Sequence, residues 1–147
     1  MIKHFDDERT WPNRALQIWL ILVGKASNGQ TLTYLQLADM LGYKGAGVMA
    51  QPLGHILHYC KQNKLPPLNV LAVNKGTGWP SDGAGPSSEI DREEVFAYNW
   101  FGIFPPTPQA LKEAWDHAFP RPQNRLPRQP SPRTESGDGK ATKLKSK

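Results

Sequence analysis

The sequence predicts an α+β domain, and three observations predict it. Three amphipathic or apolar helical segments follow one another between residues 10 and 63. A short β-like run rich in Val and Leu comes next, over Leu68 to Val73. Behind that run stands a loop in which Gly76, Gly78, Pro80 and Gly83 forbid regular structure, before two further helical segments close the body.

Each element has its own signals. Thr10, Trp11 and Pro12 open the first helix with an N-cap and an early proline, and Ala15 to Val23 continue it, apolar nearly all round, to about Lys25. Its IWLILV stretch is far shorter than the roughly 18 apolar residues of a membrane span and reads as a buried helix. Residues 27 to 30, SNGQ, make a turn. The second helix starts with a capping box, Thr33 to Gln36, carries Leu37, Ala38 and Leu41 inward and ends at Gly42. The third runs from about Val48 or Gln51 to Asn63, with Met49, Leu53, Ile56, Leu57 and Cys60 on its inner face. Pro52 belongs only in a first turn, so this helix either begins late, near Ala50, or is two short pieces. After the glycine-rich loop, Ser88 caps a helix over Ile90 to about Tyr98, and Asn99 to Phe104 form an aromatic connector. Thr107 and Pro108 start a last helix with Leu111, Ala114, Trp115 and Ala118 at helical spacing, stopped by Pro120.

The net charge of +5 is unevenly placed. Arg121 to Lys147 hold eight Lys/Arg against two Asp/Glu, so the segment carries +6 and the first 120 residues −1. Residues 120–147 are rich in Pro, Ser, Gly and Lys with almost no large apolar side chain, which predicts a disordered basic tail behind a single domain over 1–119. The tail reads either as an arm that adds affinity for phosphates or as a solvated extension. One cysteine, Cys60, forms no internal disulfide, and the amino terminus lacks a signal-peptide pattern; the expectation is a cytoplasmic protein with no membrane partner.

Three helices, a strand and a glycine-containing loop are the order of a winged helix-turn-helix, the loop being the wing. The stretch TYLQLADMLGYKGAGVMAQPLGHILHYCKQNKLPPLNVLAVNKGTG further resembles the DNA-binding domain of the O6-alkylguanine-DNA alkyltransferases and alkyltransferase-like proteins. Tyr34, Leu37 and Ala38 match that family's Thr/Ser-Tyr-x-x-Leu/Ile-Ala helix, Gly45 to Ala50 resemble its small-residue recognition helix, and Asn63 with Pro66 match its Asn-x-x-Pro turn. The resemblance spans about residues 10–83 and implies contact with double-stranded DNA. Where the family has Pro-Cys-His-Arg or, in non-catalytic relatives, Pro-Trp-His-Arg, this chain has Asn69 to Val73, without thiol or histidine, so alkyl transfer there has no nucleophile. Nor does an arginine stand near Gly47 or Val48, where the family's intercalating arginine falls.

The expectation is therefore a non-enzymatic DNA-binding protein without cofactor or metal. Gln51, His55, His58, Lys61 and Gln62 would face DNA from the third helix, Tyr34 and Lys44 would sit near phosphates, and Lys75 and Thr77 would reach them from the wing. The alternative is a winged-helix scaffold that binds a protein through the wing and Trp79. In the first reading Trp79 anchors the loop on Trp100, Phe101 and Phe104; in the second Trp79, Trp100 and Phe104 form an exposed docking patch. A third reading, a metal-dependent nuclease, rests on Glu89, Asp91, Glu93 and Glu94, although acidic residues also suit a helix amino terminus. The HxxHxC spacing of His55, His58 and Cys60 puts the cysteine well round the helix from the histidines, and structural roles suit all three.

Overall fold

The computed structural model describes residues 1–81 and 89–120. Helix α1 (Trp11–Ser27) is the axle of the fold, with Ala15, Ile18, Trp19, Leu22 and Val23 buried. Its start is set locally, since Thr10 Oγ1 accepts from the backbone of Asn13, 3.3 Å away. Strand β1 (Leu32–Thr33) leads directly into helix α2 (Tyr34–Met40). Both bonds of its capping box form: Gln36 N donates to Thr33 Oγ1 at 3.0 Å, and Thr33 N donates to Gln36 Oε1 at 2.9 Å. Gly42 adopts φ 85°, a left-handed conformation that turns the chain out of α2.

The alternatives left open by Pro52 resolve together. A 3-10 turn over Ala46–Met49 runs into helix α3 (Ala50–Gln62), so the helix starts at Ala50 and a second helical piece precedes it. Pro52 then lies in the first turn, where a backbone N–H has no intrahelical acceptor to lose.

The expected strand over Leu68–Val73 is corrected. Leu68–Leu71 form a 3-10 turn and only Ala72–Val73 are extended, as strand β2. β2 pairs in parallel with β1, Leu32 opposite Ala72 and Thr33 opposite Val73. The apolar residues that suggested a strand are buried all the same, because the turn projects Leu68, Val70 and Leu71 into the core. Behind β2 the chain folds back on itself: Asn74 N donates to the Trp79 carbonyl at 2.9 Å and Gly78 N to the Asn74 carbonyl at 2.8 Å. Gly78 turns this loop at φ 73°.

Helix α4 (Glu89–Ala97), a 3-10 turn over Trp100–Gly102 and helix α5 (Pro108–Ala118) complete the body. Thr107 caps α5 by accepting from Ala110 N at 3.0 Å. The capping role of Ser88 and the predicted disordered tail lie outside the described residues. Trp19 is the centre of the core: the rings of Tyr59 and Trp100 each meet it edge-on with centroids 5.6 Å away. Trp100 is fixed in turn by its indole N–H, which donates to the Val95 carbonyl at 2.8 Å. At the other end of α1, the buried Arg14 guanidinium donates to Asp6 at 2.8 Å and to Gln17 at 2.7 Å, tying the amino-terminal segment to the body. The whole is a mostly helical α+β unit with a two-strand sheet. No helix among the described residues is long and apolar enough to cross a membrane.

Candidate nucleic-acid interface

The predicted site residues divide between an open end of the molecule and a covered flank. At the open end, the start of α2, the 3-10 turn before α3 and the loop behind β2 enclose a cavity of about 290 Å³. Its wall is largely apolar, lined by Ala46, Met49, Leu53 and Leu57 together with the polar Asn69, Asn74 and Ser81. Leu57, expected inside, is half-buried and faces this space. Tyr34 lies at the boundary. Its hydroxyl accepts from Ser81 N at 2.9 Å, which pins the return of the loop to the first residue of α2. A second hollow adjoins the cavity, sharing Tyr34, Ala46 and Asn74 and adding Lys75. Tyr34 and Lys75 thus converge on the turn that follows Lys44 and precedes Gln51, and Lys44, Gln51, Lys75 and Thr77 are all exposed. The Thr77 hydroxyl is occupied locally, accepting from Trp79 N at 3.1 Å.

Trp79 takes neither predicted place. It is half-buried beneath Arg92, whose guanidinium lies 3.9 Å from the ring centroid and donates to the Gly78 carbonyl at 2.6 Å. The loop is therefore anchored on α4, away from the aromatic connector. Trp100 is buried on Trp19, so of the proposed docking trio only Phe104, 95% exposed, stands open. The misreading has a plain cause: three aromatic residues close in sequence, Trp100, Phe101 and Phe104, invited a cluster with Trp79, whereas Arg92 lay unremarked among carboxylates.

The covered flank holds the largest correction. His55 and His58 were expected to point outward from α3, and α5 packs over them. His55 is 4% exposed and stacks on Trp115, ring centroids 4.5 Å apart with 12° between planes. His58 is half-buried, its edge toward Trp115 and Phe119. Gln62 Nε2 donates to the Ala114 carbonyl at 2.9 Å. Gly54 permits this approach, since a Cβ there would stand 2.7 Å from the Trp115 ring. A glycine inside an amphipathic helix, disfavoured by about 1 kcal/mol against alanine, was the available signal that a bulky partner lies against it. Lys61, one turn further on, remains exposed.

Burial lowers the pKa of both histidines below the usual imidazole value. For His55 the Gln51 carbonyl and Asp116 oppose that effect; for His58 the neighbouring Lys61 and His55 add to it. Cys60 is buried, and desolvation pushes its thiol up to about 12 against a weaker opposing hydrogen bond from the Leu68 backbone. A thiol held in that state supplies almost no thiolate at neutral pH. The folded chain will accordingly leave Cys60 unlabelled by a disulfide reagent over minutes, and denaturant will make it fully reactive; rapid labelling of the native chain would refute the buried placement. Among the described residues no three His, Cys, Asp or Glu side chains come together as a metal site.

Comparison with family models, curated proteins and solved structures finds no match to this chain.

Proposed function

We propose that the chain is a non-enzymatic, winged-helix-like protein that binds double-stranded DNA, and that near neutral pH, with α5 seated, it does so with the open end of the α2–α3 unit rather than the covered flank of α3. The observation that carries this reading is the convergence of Tyr34, Lys75 and the 44–51 turn around one apolar cavity with a few polar groups. Lys44 and Lys75 are exposed cations at two edges of that convergence, suited to phosphates, while Gln51 offers an amide suited to a base edge. The cavity has the form of a small ligand site, an apolar wall with a few hydroxyl and amide groups, and it suits a planar, hydrogen-bonding group such as an unstacked base.

The test is binding of a labelled duplex by the full chain, followed by anisotropy across a salt series beginning at about 50 mM, where phosphate contacts are strong. Lys44→Glu and Lys75→Glu will each weaken binding to all sequences alike and reduce the salt slope by about 0.9 per lost phosphate contact. Wild-type affinity and slope in both variants would return this end of the molecule to the protein-docking alternative.

A further inference from the structure

The contact between α3 and α5 is made by groups whose packing changes with protonation. His55 Nδ1 lies 2.7 Å from the Gln51 carbonyl, so that nitrogen carries the hydrogen of the neutral ring, and Nε2 is the atom that accepts a proton on acidification. His55 is then a cation on a largely enclosed face against Trp115, while His58, between Trp115 and Phe119, becomes a second cation one turn away. The charges acting on the pair are Asp116 from α5, itself bonded to Lys112 at 2.6 Å, together with Lys61 and the histidines' own mutual repulsion on α3. Glu113 and His117 of α5 line the neighbouring hollow beside Tyr59 and Gln62.

Apart from the histidines, α5 is held on α1 and α3 by apolar packing and by the Gln62 bond to the Ala114 carbonyl. Leu111 and Ala114 are its buried residues, and Phe119 behind it is half-open to solvent. The segment leading into it, IFPPT over residues 103–107, is mostly exposed, and the Thr107 cap belongs to the helix itself. Helix α5 thus carries its own initiation signal wherever it lies.

We propose that α5 is an acid-sensitive cover over the flank of α3, seated near neutral pH and displaced on acidification, when it uncovers His55 and His58, which join the already exposed Gln51 and Lys61 as a cationic face for the DNA backbone. The choice of DNA rests on the function proposed above; the opening does not. Both histidines are held neutral more strongly in the seated state than in a released one. Seating is therefore complete above the ordinary imidazole value of 6.5, weakens as pH falls through it because the released state takes up protons first, and levels off below the lowered values of the seated state. The protonation that loosens the cover also charges the face beneath it.

Hydrogen exchange of the full chain between pH 7.5 and 5.5, corrected for the intrinsic pH dependence of exchange, tests the opening. Protection of residues 108–118 and of the outer positions of α3 will fall several-fold while α1 keeps its own. The His55→Gln/His58→Gln chain will show no such acid-dependent loss. Unchanged protection of wild-type α5 at pH 5.5, or an equal loss in the double variant, would overturn the proposal. Imidazole titration in the wild type by NMR reads the same mechanism even if the double variant fails to fold: midpoints below that of a free imidazole support it, and midpoints at or above that value overturn it. Duplex binding then separates the two claims. A gain on acidification in wild type that the double variant lacks supports DNA as the occupant of the uncovered face. Opening without that gain removes DNA from this face and leaves the reading of the α2–α3 end to the lysine variants.

Discussion

Trp19→Ala will lower the free energy of unfolding by about 3–5 kcal/mol, the range for removing a fully buried indole, and lower the thermal midpoint by about 10–20 °C. The side chain is 1% exposed, and the rings of Tyr59 and Trp100 meet it edge-on, each at 5.6 Å. Truncation therefore removes apolar burial and two aromatic contacts at once. It leaves a space that α3 and the Trp100 turn cannot both fill, because Trp100 is held from behind by its bond to the Val95 carbonyl. Set against the 5–15 kcal/mol typical of a domain, the loss brings the chain close to its folding threshold. Denaturant unfolding monitored by far-ultraviolet circular dichroism checks it; a loss below about 1 kcal/mol would mean that Trp19 is not at the centre of the core.

Arg92→Ala will have the second large effect, and a local one. The guanidinium stacks on Trp79 and donates to the Gly78 carbonyl, so one residue of α4 holds both the tip and the return of the loop. A hydrogen bond from a charged donor is worth about 1.5–3 kcal/mol and a partly desolvated cation–π contact about 0.5–2 kcal/mol, overlapping rather than adding in a single side chain. About 2 kcal/mol of loop-anchoring free energy will be lost. It will appear as faster hydrogen exchange over residues 74–79, with global stability changed much less. Lysine will not replace the arginine, since an ammonium supplies a point charge without the planar face that lies on the indole. Wild-type exchange in the loop of Arg92→Ala would show that the Tyr34–Ser81 bond alone suffices to hold it.

What the sequence made legible was local. Thr10, Thr33 and Thr107 each announced a helix start, and each accepts the backbone hydrogen bond expected of a cap, because that bond joins residues three apart. Gly42 and Pro52 marked boundaries for equally short-range reasons of backbone geometry. Leu68 to Val73 were read as one apolar strand, which holds only for Ala72–Val73, since an apolar run records burial without recording whether a strand or a tight turn achieves it. The contacts that decide the candidate site are all long-range. Tyr34 meets Ser81, Arg92 meets Gly78 and Trp115 meets Gly54, pairs whose encounter depends on how whole helices cross. Residue type alone placed Lys44, Gln51, Lys75 and Thr77 on the surface, but it gave His55 and His58 the same status, because a helix facing another helix and one facing water can bear the same polar residues.

The parallel pairing of Leu32 with Ala72 has a kinetic consequence. It joins residues forty positions apart through a sheet two residues wide on each side, too small to persist by itself. Its formation must wait until the helices have organised the intervening chain and met the entropy of closing so long a loop. The walls of the cavity come from both sides of that closure, with Tyr34 and Ala46 between the paired segments in sequence and Asn74 and Ser81 after them. An intermediate with every helix in place but the strands still apart would look largely folded by helical content and would lack the cavity, so the cavity should arrive in the last step of maturation rather than accumulate along the way.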